Sequence, residues 1–213
     1  MTIRAVLFDF DMTLIDSSDA LLNNINKMAS HFGRPGCSRE RLLQVIGLNS
    51  DDFWRAIFGD FDDACAAYYR DECLPHEHEL MRAFDGAFDC VRALRSRSVR
   101  VGCASNRNNP GRVLRMTGLE PLMDCVVGAL DVPRPKPAPD VILSGMRHLD
   151  ALPGETLYIG DTPIDVAAAR NAGVRCVAVL TSNREETLKE AGAWRVCTGL
   201  RDLPALLSGE NLL

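Results

Sequence analysis

The chain has 213 residues, enough for one or two domains and for a core that needs no disulfide or metal staple. Its 24 Lys+Arg against 29 Asp+Glu leave a formal net charge of −5, which argues against a general nucleic-acid binder with a basic stripe. A hydrophobic content of 46% with 25% charged residues excludes a disordered chain, and no apolar run is long enough to span a bilayer. The N-terminal run reaches Asp9 too soon for a signal-peptide core. The eight cysteines are scattered and form no C-x-x-C pair, so they read as reduced, mostly buried thiols of a cytoplasmic protein.

Five short apolar runs predict buried strands: 5–10, 99–104, 125–127, 156–159 and 175–179. Between the later ones, apolar residues recur at helical spacing, as in Phe88-Val91-Leu94, Val141-Ile142-Gly145-Met146-Leu149 and Ile164-Val166-Ala167-Ala168, the last stopped by Gly173. Alternating strands and helices predict an α/β fold, a parallel sheet covered on both faces. From about Ser18 to Arg82 the pattern is helical only. Leu21, Ile25, Met28 and Phe32 mark one helix ended by Gly33, Ser50 is a candidate N-cap for a second, and 62–73 reads as a third. The expectation is a parallel sheet core, residues 1–16 and 84–213, with an inserted small α-helical domain, residues 17–83.

In an open parallel sheet the ligand crevice lies beyond the carboxyl ends of the strands. The residues there are Asp9-Phe10-Asp11-Met12-Thr13, Ser105-Asn106, Arg134-Pro135-Lys136-Pro137 and Gly160-Asp161-Thr162-Pro163-Ile164-Asp165. Four carboxylates at one sheet end are costly unless something cationic sits among them, and Lys136 alone is not enough. A hard divalent cation with oxygen ligands, Mg²⁺, is the natural partner. Whether or not the strand ends between Asp9 and Asp11, one carboxylate can attack a substrate while the other handles a proton, and no Ser/His/Asp set competes with them.

These motifs together resemble the haloacid dehalogenase superfamily in its phosphatase branch, and the helical insertion resembles that family's first-type cap. The resemblance implies an α/β fold with a Rossmann-like parallel sheet core, residues 1–16 and 84–213, and an inserted small α-helical cap domain, residues 17–83. The resemblance implies Asp9 as nucleophile and Asp11 as general acid and then base. It implies that Lys136 offsets the charge of Asp9 and the phosphate. Ser105, with Asn106 and Thr13, would receive the phosphoryl group. Asp9, Asp161 and the backbone carbonyl of Asp11 would hold Mg²⁺, with Asp165 as ligand or support. Asp11 argues against dehalogenation, which needs no proton donor. Lys27, the cap's lysine, lies mid-helix and does not suit a Schiff base. The cap loop Ile46-Gly47-Leu48-Asn49-Ser50-Asp51 carries no base, which favours hydrolysis over a β-phosphoglucomutase-like transfer. A non-catalytic binding role is the remaining alternative. The expected substrate is a small phosphorylated metabolite, phosphoglycolate-like or a sugar phosphate. The partner expectations are no nucleic acid, no membrane, and a monomer or homodimer.

Three features fall outside this pattern. The family usually has glycine where this chain has Met12, which implies either an ordinary backbone or strain there, and an apolar side chain near the pocket mouth. Pro75-His76-Glu77-His78-Glu79 reads as a solvated cap loop rather than a second metal site. Phe53, Trp54 and Phe58 read as the core of the cap, with pocket lining as the alternative.

Overall fold

The computed structural model describes residues 2–210 and Leu212. Strands β1 (Ala5–Phe8), β4 (Arg100–Ala104), β5 (Cys125–Val127), β6 (Thr156–Gly160), β7 (Arg175–Val179) and β8 (Arg195–Cys197) form one parallel sheet in the order β5-β4-β1-β6-β7-β8. Neighbouring positions of β1 point to opposite faces. Val6 and Phe8 enter the cluster under α5 (Ala87–Arg95), α6 (Pro110–Thr117) and α10 (Leu203–Gly209). Ala5 and Leu7 enter the cluster under α7 (Asp140–His148) and α8 (Pro163–Asn171). Burial on both faces is why these strands read as unbroken apolar runs.

β1 stops at Phe8, two residues short of the expected end, so Asp9 and Asp11 stand on the loop beyond it. β8 was not expected. It has only three residues, and one of them is exposed, too brief and too exposed a run to give an apolar signal.

The two connections into the helical segment pair with each other. β2 (Ile15–Asp16) and β3 (Arg82–Ala83) form an antiparallel ribbon with Ile15 opposite Ala83. Between them lie α1 (Ser18–His31), α2 (Arg39–Val45), α3 (Ser50–Phe58) and α4 (Asp63–Tyr68). Gly33, with φ +62°, follows the end of α1. α3 is capped by Asn49, whose side chain accepts from the Asp52 amide, so Ser50 is the first helical residue and not the N-cap. The run after Asp62 is α-helical only to Tyr68 and continues as a π-helical turn over Tyr69–Cys73. These helices have an apolar cluster of their own, built on Leu21, Ile25, Met28, Leu42, Phe53 and Trp54.

Met12 belongs to that cluster rather than to the mouth of a pocket. It is buried and holds φ +57°, the left-handed region that a side chain resists, so the strained alternative is the one realised. All eight cysteines are free thiols, and Cys103 and Cys176 are buried. Among the described residues no helix is long and apolar enough to cross a membrane.

Candidate active site

The strand ends converge on a buried charge cluster. Lys136 is 2% exposed, and its Nζ donates to Asp9 Oδ1 and to Asp165 Oδ1, each at 2.7 Å, and to the Tyr158 hydroxyl at 3.0 Å. The Tyr158 hydroxyl donates in turn to the Ala104 carbonyl at 2.7 Å. Four strand ends are thereby tied to one ammonium group.

Asp165 is placed by local sequence. Thr162 caps α8, accepting from the Asp165 amide, while Asp165 Oδ2 accepts from the Thr162 amide at 3.0 Å, a reciprocal capping box with Pro163 in the first turn. Gly160 makes room for it, since a Cβ there would lie 2.4 Å from the Asp165 Cβ. Both carboxylate oxygens of Asp165 are therefore engaged by protein donors.

Asp161 is fully buried and held by hydroxyls. Thr13 Oγ1 donates to its Oδ1 at 2.8 Å and Ser182 Oγ to its Oδ2, while Asn183 Nδ2 donates to its backbone carbonyl at 3.1 Å. The Thr13 hydroxyl is thus directed at Asp161, and Thr13 does not line the cavity described below. Asp9, Asp161 and Asp165 each place an oxygen within 4.8 Å of the others.

Burial dominates the ionisation of this cluster. It pushes the Asp9 carboxyl up to about 6, with Lys136 opposing and Asp165 adding to the rise. Burial, then Asp165 and Asp9, lift Asp161 well above the usual carboxylate range. Burial also works against the charge on Lys136, but Asp165 and Asp9 outweigh it and hold the ammonium protonated.

Asp9 forms part of the floor of a cavity of about 240 Å³ between sheet and cap, with Ser105, Asn106 and Asp11 also lining it. Asn106 joins three segments. Its Oδ1 accepts from the Lys136 amide at 2.6 Å, and its Nδ2 donates to the carbonyls of Lys136 at 3.1 Å and Gly47 at 3.0 Å. The cap loop meets the core at Gly47. Its φ is +91°, and a Cβ would lie 3.0 Å from Thr162 Cγ2.

Asp11 is turned away from the acid cluster. Its Oδ1 lies 3.4 Å from Arg107 Nε, outside good hydrogen-bond geometry, and both atoms are buried without another partner. Arg107 lies over the Phe10 ring at 5.0 Å and reaches across to the cap, pairing with Glu77 at 3.1 and 3.2 Å. Glu77 is 5% exposed, which corrects the reading of its segment as a solvated loop. Only its neighbours fit that reading, His76 and Glu79 pairing with each other at the surface. Burial raises the pKa of Glu77, with Arg107 opposing. Phe53 and Trp54 line the cavity from the cap while also packing the cap core, whereas Phe58 stacks on Trp54 and does not reach the cavity.

A family model described as haloacid dehalogenase-like hydrolase matches residues 6–179. The chain belongs to that family. A pyrophosphatase, PpaX, from Bacillus mycoides (strain KBAB4) is 29% identical over 181 residues, 84% of each chain. The PpaX of Listeria monocytogenes serotype 4a (strain HCC23) is 29% identical over 197 residues, 91% of this chain and 85% of its own. Among solved structures, a predicted phosphoglycolate phosphatase from Haemophilus somnus 129pt superposes with TM-score 0.87 at 18% identity, covering 97% of this chain and 98% of its own. A β-phosphoglucomutase from Clostridium difficile superposes with TM-score 0.83 at 19% identity, covering 98% and 96%. The two structures share the fold, a parallel sheet with a helical insertion after its first strand.

Proposed function

We propose that the chain is a Mg²⁺-dependent phosphatase that hydrolyses a small phosphorylated metabolite through an aspartyl-phosphate on Asp9. The observation that carries this reading is the buried Asp9–Lys136–Asp165 contact set at the floor of a cavity whose wall holds a second carboxylate, Asp11. In the first step an Asp9 oxygen bonds to phosphorus as the bond to the leaving oxygen breaks. Asp11 gives that oxygen its proton. In the second step Asp11 takes a proton from water, whose oxygen displaces Asp9 from phosphorus and frees inorganic phosphate. Ser105 and the backbone around Asn106 receive the phosphoryl oxygens, and Lys136 balances the charge gathering on Asp9.

The donor set fits a hard divalent cation. Three buried carboxylates lie within 4.8 Å of one another, one ammonium group reaches two of them, Asp9 and Asp165, and those of Asp9 and Asp161 resist ionisation. Asp9, Asp161 and the Asp11 carbonyl would hold Mg²⁺, with Asp165 supporting from behind because its oxygens are already engaged. When bound, Mg²⁺ neutralises charge on the phosphoryl oxygens. Phosphate release from p-nitrophenyl phosphate tests the reading. Release with Mg²⁺ and none in EDTA is expected, and equal release in both would overturn the metal assignment.

A further inference from the structure

We infer that the leaving group is an uncharged alcohol with an apolar body, and that Glu77 sets this preference by neutralising Arg107. The inference rests on the phosphatase reading above and names the substrate class of the same cavity. Two features of the walls carry it. The first is the apolar roof. Leu48, Phe53, Trp54, Tyr69 and Leu74 all line the cavity from the cap side. Such a surface favours an apolar body in proportion to the area it takes from water.

The second is the charge count at the leaving-group end. The cap segment 45–80 brings no lysine or arginine to the cavity, and its charged lining residue is an acid, Glu77. The cations come from the core, and each is engaged. Lys136 is held by Asp9 and Asp165. Arg107 stands between Asp11 at 3.4 Å and Glu77 at 3.1 Å. Arg112, exposed at the rim, donates to the Leu74 and Pro75 carbonyls at 3.4 and 3.1 Å. With Asp11 carrying the proton it gives to the leaving oxygen, buried Arg107 is balanced by Glu77, and Arg112 stands at the exposed rim where water and salt screen it, so the buried part of this end has no surplus positive charge. A carboxylate or a second phosphoryl group would lose its hydration there and gain no counter-charge. A neutral alcohol carries no such cost.

The PpaX relatives are named pyrophosphatases and the Haemophilus somnus structure a predicted phosphoglycolate phosphatase, and pyrophosphate and phosphoglycolate both give anionic leaving groups, unlike the neutral alcohol inferred for this chain. Glu77 is the residue responsible. Removing the Glu77 charge would leave Arg107 without its cap partner while Asp11 is protonated, and create the missing counter-charge.

The experiment measures kcat/KM of the full chain with Mg²⁺ on benzyl phosphate, 2-phosphoglycolate and pyrophosphate. Benzyl phosphate and phosphoglycolate are both primary alkyl esters, so they differ mainly in charge and apolar surface. Benzyl phosphate is expected to lead both by about tenfold or more. Glu77→Gln should narrow that lead by about tenfold, raising the anionic substrates relative to benzyl phosphate. Leu48→Lys, at a half-buried loop position, adds a cation without touching the Glu77–Arg107 pair and should shift the ratio the same way. Wild-type preference for pyrophosphate or phosphoglycolate overturns the inference, as does a ratio unmoved in both variants. Phosphate release from none of the three overturns the phosphatase reading itself, and the inference falls with it.

Discussion

The floor of the cavity and its roof are held together by different physics. Under the floor, the buried charges around Asp9 are held by several partners: Lys136 by Asp9, Asp165 and Tyr158, and Asp161 by Thr13, Ser182 and Asn183. On the roof, apolar packing dominates, and few polar contacts cross the seam: Asn106 to Gly47, Arg107 to Glu77, and Arg112 to Leu74 and Pro75. A network in which every member is satisfied by its neighbours is rigid, because moving one group strands the rest. A seam closed by a few polar contacts and a two-residue ribbon, Ile15–Asp16 on Arg82–Ala83, can open at lower cost. The floor is therefore suited to fixed chemistry and the roof to admitting and selecting what is transformed.

The sharpest way to break this division is at the floor. Asp9→Asn keeps the shape of the side chain but removes the nucleophile and an anionic donor. It should abolish turnover while leaving the circular dichroism spectrum unchanged, and retention of a tenth of wild-type kcat would sink the covalent route. Asp11→Asn comes next. Alkyl phosphates, whose alkoxide needs a proton, should lose about 10²–10⁴ in kcat/KM, the range of a general acid. Nitrophenyl phosphate should lose far less, because its leaving group departs unaided. An equal loss on both substrate types would mean that Asp11 acts through structure alone.

The floor was legible in the sequence because a parallel sheet collects its strand ends, so reading the residues after each strand also collects the chemistry. Asp9, Ser105, Lys136 and Asp161 were found that way. The same reading carried two residues past Ser105 reaches Arg107, and carried past β7 it reaches Ser182 and Asn183. Tyr158 was hidden because a strand tyrosine reads as core, and only its hydroxyl tip enters the network. Glu77 was hidden for a different reason. It sits on a short 3₁₀ turn with no periodic signal, beside the exposed His76 and Glu79, and its partner lies thirty positions away. Contacts made through tertiary packing between two loops leave no local pattern to read.

The floor's burial also makes a prediction about pH and metal. Asp9 binds its proton more tightly in the folded chain, at about 6 against an ordinary 3.8, and Asp161 is shifted the same way. The folded state then holds more protons than the unfolded state between those values. The contribution of these groups to metal-free stability therefore declines as pH rises from about 4 through about 6. Mg²⁺ should restore what is lost above that window. A hundredfold excess over Kd adds about 2.7 kcal/mol, roughly 5–10 °C in Tm for a chain of this length. Thermal melts should show that rise at pH 7.5 and a much smaller one at pH 5. A Mg²⁺ shift independent of pH would place the ion away from Asp9 and Asp161.

The smallest effect sharpens the boundary between floor and roof. Met12 follows Asp11, yet its side chain packs into the cap cluster with Leu21, Ile25 and Trp54. Its left-handed backbone, φ +57°, costs about 1–3 kcal/mol in a residue with a Cβ. Met12→Gly removes that strain. It also deletes a side chain that is 2% exposed, and emptying a buried methionine site costs about 2–5 kcal/mol. Glycine adds about 0.5–1 kcal/mol of backbone entropy to the loss. Lost packing outweighs relieved strain, so the variant should be less stable by about 1–3 kcal/mol, read as a lower midpoint in urea. The backbone conformation that carries Asp9 and Asp11 is one glycine adopts freely, so kcat on nitrophenyl phosphate should fall by less than about threefold. KM should rise, because the side chain lost is one that seats the cap. A stabilised variant would show that strain at Met12, and not its packing into the roof, is the larger quantity. An unchanged KM would show that the cap seats itself without this anchor.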